Sequence, residues 1–190
     1  MADQAERLRE IVKENNTNNN PARVITITSG KGGVGKTNFA VNLGIALSKL
    51  GQKVLLVDAD LGLANVDVML GLISKYNLGH VLLGERKIAD IIINGPAGMR
   101  IIPGGSGMYK LANLGDKKLT QCLEYLNQLE KETDIILIDT GAGLSKNVLK
   151  FVLAAGEVII VTTPEPTAIT DAYGIIKVIT ASKRDLPIQV

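Results

Sequence analysis

The chain has almost nothing with which to cross-link, stack bases or build a metal cage. Of its 190 residues one is cysteine, one is histidine and none is tryptophan, and Phe, Tyr and Trp together make up 3%. A single cysteine, Cys122, excludes a disulfide framework or a multi-cysteine metal site within one copy. His80 has no second histidine or cysteine at ligand spacing, so it reads as a surface or packing residue. With so few aromatics and a net charge of only +2 there is neither a stacking platform nor a basic field, and no specific nucleic acid is expected as a partner. Although 46% of the residues are apolar, no run of them is long enough to span a bilayer; they are expected in buried strands of a soluble protein. The opening residues, MADQAERLRE, are charged and lack the apolar centre of a secretory leader, which points to a reducing cytoplasm.

What the chain does have is glycine in one telling place. Residues 24–37 read VITITSGKGGVGKT: a β-branched apolar run, a glycine-rich turn, then the start of an apolar-periodic helix. Gly30 and Gly35 frame four residues and precede Lys36 and Thr37, which is the G-x-x-x-x-G-K-[ST] phosphate-binding loop in its strand-to-helix setting. Backbone N–H groups close on phosphate oxygens there because glycine has no Cβ to intervene, and the helix N-terminus adds unpaired donors. Gly30, Lys31, Gly32, Gly33, Val34, Gly35, Lys36, Thr37 and Asn38 are the expected nucleotide-binding stretch, with Lys36 on the β- and γ-phosphates and Thr37 on Mg²⁺. Lys31 is a second lysine in a loop that ordinarily needs one, and it calls for a second anionic target.

Downstream, apolar runs end in acids. Lys53 to Val57 reads as a buried strand delivering Asp58 and Asp60 to a strand's C-terminal end, where open α/β sheets bind ligands. From the residues alone, either aspartate serves as readily as a cap for the next helix as it does as a metal or water ligand. IILI followed by Asp139 is a strand with an acid at its exit, suited to holding Mg²⁺ through water. Amphipathic stretches at 36–50, 116–131, 145–155 and 167–184 alternate with these strands. The expected fold is therefore α/β, a doubly wound, mostly parallel sheet with helices on both faces. Residues 65–95 suit either helix or strand, and the strand-to-glycine-loop stretch MRIIPGGSG at 99–107 has no evident chemical role. Before the domain, residues 1–14 form a short charged helix and 15–22 an asparagine-rich linker. Such a helix is marginal alone, so it is either a frayed extension or waits for a partner.

KGGVGKT, with its extra lysine, resembles the deviant Walker A motif of the MinD/ParA family of dimerising P-loop ATPases, and DADLGLANVD resembles that family's switch I. The resemblance implies ATP and Mg²⁺ as cofactors and a homodimer with ATP, with Lys31 reaching the partner subunit's phosphates. It implies that Asp60 positions the hydrolytic water, that Asp58, Thr37 and Asp139 lie around the metal, and that Gly141 senses the γ-phosphate. It also implies two short helices within 65–95 and a sheet continuing past residue 190, where family members carry base contacts and a membrane-binding helix. Asp3, Gln4, Ala5, Leu8 and Arg9 fit the DQA-x-x-LR motif of the family's flagellar branch, the FlhG group. That likeness implies control of flagellar number and placement, an FlhF-type GTPase as the stimulated partner, contacts with flagellar basal-body or C-ring proteins, and a peripheral place at the inner face of the membrane. A ParA-like DNA-segregation or division-site role and a nucleotide-gated adaptor are the alternatives.

Overall fold

The computed structural model describes residues 21–60, 62, 64–105 and 116–190, so the 1–14 helix with Asp3, Gln4, Ala5, Leu8 and Arg9 and nearly all of the 15–22 linker lie outside the described residues. Ala22, assigned to the linker above, is already buried against the core.

β1 (Arg23–Thr28), β2 (Val54–Ala59), β5 (Ile135–Thr140) and β6 (Glu157–Ile160) are the apolar, β-branched runs, and they form the parallel centre of one sheet. β4 (Arg100–Ile102) joins them, while two-residue strands close the edges: β3 (Ile93–Asn94), which is antiparallel, and β7 (Ile188–Gln189). The order is β3-β4-β2-β5-β1-β6-β7. With β1 between β5 and β6, successive connections run outward in both directions from the middle, the doubly wound arrangement expected from sequence.

The strands are buried on both sides, and their period-two alternation sorts side chains into separate cores. Val54, Leu56, Ile135 and Leu137 face α1 (Lys36–Lys49) through Ala40 and Val41. Leu55, Val57, Ile136 and Ile138 face the opposite layer. There they meet Leu78 and Val81 of α3 (Leu78–Leu82), Cys122 and Leu126 of α4 (Asp116–Gln128), and Phe151 of α5 (Lys146–Ala154). A third cluster joins α5 to α6 (Pro166–Ser182) through Val152, Val158, Ala172 and Ile175. The region that reads ambiguously, 65–95, contains α2 (Val66–Leu70), α3, a 3-10 turn and β3, so the two short helices are present. Cys122 is a fully buried core residue, and burial pushes its thiol up to about 12.

One strand runs further than expected. β2 continues through Asp58 and Ala59 because they pair in register with Asp139 and Thr140 of β5. Asp58 is thus a strand residue and Asp60 a loop residue. The extended geometry that would aim the two the same way does not persist beyond Ala59.

Candidate functional site

Lys36, Asp58, Asp60 and Asp139 converge at the C-terminal ends of β1, β2 and β5. The register Asp58↔Asp139 places the two aspartates side by side on adjacent strands, and Ile27↔Asp139 brings β1 alongside, just before the glycine loop. Gly33 and Gly35 take left-handed backbone angles, φ 80° and 90°, that L side chains rarely adopt, and a Cβ at Gly32, Gly33 or Gly35 would meet nothing within 4 Å. Their open side is the mouth of a cavity of about 740 Å³ lined by Gly32, Gly33, Gly35, Lys36, Thr37 and Asn38, by Asp60, and by Gly141 of the loop after β5. Ser29, Asn65, Met69, Ser145, Asn147 and Val148 also line it, though no motif flagged them as ligand-facing; Ser145 is the N-cap of α5, whose Val148 N–H it accepts at 3.3 Å.

At the cavity's floor Lys36, only 9% exposed at its side chain, donates to Asp139 Oδ1 at 2.6 Å. The Thr37 hydroxyl also favours the charged Asp139 carboxylate, while Asp139 Oδ2 is buried with no hydrogen-bond partner. Burial raises the Asp139 carboxyl above its ordinary value and outweighs the Lys36 ammonium beside it. A lysine, a hydroxyl and a carboxylate with one orphaned oxygen suit a hydrated divalent cation next to polyphosphate. Such a cation needs one or two protein oxygens rather than a full cage. No cluster of three or more His, Cys, Asp or Glu able to hold a metal occurs among the described residues.

The loop after β5 is tied to the phosphate loop by a backbone bond, Gly143 N–H to the Ser29 carbonyl at 2.8 Å. The Asp60 carboxylate stands 3.6–3.7 Å from where a Cβ on Gly141 would be, so the loops after β2 and β5 come together at the cavity.

Three predicted residues sit otherwise than the motif suggests. Lys31 is not among the cavity's lining residues and pairs with Glu165 Oε2 at 3.0 Å and Thr167 Oγ1 at 3.4 Å, at the entrance to α6 of its own chain. Gly30 is needed for packing: a Cβ there would fall 2.5 Å from the Asp171 carbonyl carbon on α6. Asp58 is 1% exposed and accepts three backbone N–H groups, from Asp60 on Oδ1 (3.1 Å) and from Asn65 and Val66 on Oδ2 (2.9 and 3.1 Å). It caps the start of α2, the structural role left open by the sequence. His80 likewise has a local role, closing the Asn77 capping box of α3 and packing edge-on against Tyr76.

Burial lifts the Asp58 carboxyl from 3.8 to about 7, against the pull of its three N–H donors. Because the folded-state value lies above the unfolded one, its contribution to stability is complete below about pH 4 and is lost as pH rises to about 7. Thermal midpoints of the nucleotide-free chain and of Asp58→Asn, taken from pH 5 to 8, are therefore expected to converge toward the alkaline end. A constant difference would contradict this environment.

Residues 22–189 match the family model for an AAA domain. Over 159 residues the chain is 46% identical to the antiactivator FleN of Pseudomonas aeruginosa, covering 84% of this chain and 57% of that protein. It is 42% identical to the flagellum site-determining protein YlxH of Helicobacter pylori, covering 98% and 65%. The chain thus spans less than two thirds of either relative's length. Among solved structures, the septum site-determining protein MinD of Pyrococcus horikoshii, complexed with Mg-ADP, superposes with a TM-score of 0.77 at 36% identity over 88% of this chain and 68% of that one. A phosphate loop with a second lysine, acids at the ends of neighbouring parallel strands, and likeness to MinD agree: the chain belongs to the AAA-domain family, as a MinD/ParA-type P-loop protein similar to FleN and YlxH.

Proposed function

We propose that this chain is the nucleotide switch of a MinD-type ATPase that regulates flagellar number and placement, cycling between a monomer and an ATP-bridged dimer. The observation that carries the ATPase reading is the Lys36–Asp139–Thr37 cluster with its orphaned Asp139 Oδ2, set beneath a cavity walled by both switch segments. Lys36 would exchange Asp139 for the β- and γ-phosphates, and Thr37 and Asp139 are the residues that would hold the metal. Bound Mg²⁺ supplies charge neutralisation of the transferred phosphoryl group. Asp60, opposite Gly141, orients the attacking water. Lys31 exchanges Glu165 and Thr167 for the partner subunit's phosphates. The flagellar assignment is supported by the likeness to FleN and YlxH. With it come an FlhF-type GTPase stimulated by Asp3, Gln4, Ala5, Leu8 and Arg9, and action in the cytoplasm at the inner membrane face. No helix of the described residues is long and apolar enough to cross a membrane.

Light scattering with ATP·Mg²⁺ tests the cycle on the full-length protein. Asp60→Ala is expected to stay dimeric, and Lys31→Ala to stay monomeric while still binding nucleotide. A Lys31→Ala protein that dimerises like the wild type refutes the bridging role. Removal of residues 1–14 is expected to abolish stimulation of an FlhF-type GTPase and leave dimerisation intact.

A further inference from the structure

The glycine loop after β4 is the one motif that the phosphate site does not use, yet it is buried against that site's support. Pro103, Gly104 and Gly105 are all buried, and the Pro103 carbonyl is anchored by the Leu78 N–H at 2.9 Å. A Cβ on Gly104 would lie 2.6 Å from the Ala64 Cβ, 3.0 Å from the Asp58 carbonyl oxygen and 3.1 Å from the Asp58 carboxyl carbon. Gly104 therefore presses on both the Asp58 carboxyl and the residue preceding Asn65.

That carboxyl holds both ends of the segment carrying Asp60. Its Oδ1 takes the N–H of Asp60, and its Oδ2 takes those of Asn65 and Val66. All three partners are donors, so a carboxyl meets the need where an amide would set its NH₂ against an N–H. With three acceptor positions taken out of about four, little capacity remains for a metal-bound water. We propose that Asp58 is a positioning residue for Asp60 rather than a ligand of the nucleotide's metal, and that the loop of residues 103–105 is the stop that seats it. The inference rests on the reading of Asp60 as the water-orienting residue. The loop thereby sets the distance of Asp60 from Gly141.

Asp58→Asn and Gly104→Ala in the full-length protein test this by steady-state hydrolysis with titrations of ATP and Mg²⁺. Both are expected to lower kcat on the order of tenfold, since sub-ångström displacement of an orienting group acts on the chemical step, with KM and the Mg²⁺ half-saturation unmoved. Ala64→Gly added to Gly104→Ala removes the closest clash but leaves the contacts with Asp58 at 3.0 and 3.1 Å, so it is expected to restore kcat in part, which also covers the case in which Gly104→Ala alone folds poorly. A raised Mg²⁺ requirement in Asp58→Asn makes that residue a metal ligand and overturns the proposal. So does wild-type kcat in both variants, or failure of Ala64→Gly to rescue. Asp60→Ala separates the two levels: if it hydrolyses normally, the reading of Asp60 fails, whereas an inactive Asp60→Ala beside fully active Asp58→Asn and Gly104→Ala defeats this inference alone.

Discussion

Lys36→Ala is expected to lower kcat for ATP hydrolysis by about 10²–10³-fold, the usual loss when one preorganised charge-stabilising group is removed. The same change should weaken the nucleotide-free fold. Lys36 and Asp139 are an almost wholly buried pair at 2.6 Å, and deleting one partner leaves the other uncompensated, a loss of up to about 3–5 kcal/mol. Burial already pushes the Asp139 carboxyl above its ordinary value, which reduces that figure. Adding Asp139→Asn removes the stranded charge, so the double variant should recover much of the lost stability while remaining inactive. Thermal unfolding of the three variants beside the wild type reads this directly. If Lys36→Ala melts like the wild type, the pair is not formed in the free chain.

Gly30→Ala is expected to destabilise the chain by about 1–3 kcal/mol through overpacking, and to do so at α6 rather than at the phosphate loop. The added methyl would sit 2.5 Å from Asp171 backbone and side-chain carbons and 2.8 Å from its carbonyl oxygen, and helix backbone has no rotamer by which to yield. Gly33→Ala and Gly35→Ala meet no atoms within 4 Å and act instead through their left-handed φ, a local strain of roughly 1–2 kcal/mol. Hydrogen exchange separates the mechanisms. Gly30→Ala should speed exchange along α6 from Thr167 to Ile175, whereas the other two should leave α6 protected. Unchanged α6 protection in Gly30→Ala would show that the helix does not rest on the loop.

The contrast between these glycines marks how far the sequence could be read. The phosphate loop, the strand ending in Asp139 and the alternation of elements were legible because each combines a period with a punctuating residue. The purpose of Gly30 was not, because its neighbour is Asp171, far along the chain and on a helix whose docking no local pattern encodes. Asp58 illustrates a second limit. An acid after an apolar run suits a metal, a water or three backbone amides equally well, and only where Asp60, Asn65 and Val66 lie decides. Met69 and Asn147 reached the cavity without a signal for the same reason: their elements are placed by packing against the sheet. The glycine loop at 103–105 was visible as a motif, but its target is a carboxyl and an alanine some forty residues earlier in the chain.

The contact between Lys31 and Glu165 bears on how firmly two copies hold each other. Glu165 is 61% and Lys31 44% exposed at the side chain, so their pairing is worth at most about 1 kcal/mol and is weakened by salt. Recruitment of that ammonium by a neighbour is therefore a swap of counter-ions, and its net Coulombic gain is the difference between two attachments. Added salt loosens the resting attachment as well as the bridging one, so association should respond to ionic strength less steeply than the number of charges crossing the interface suggests.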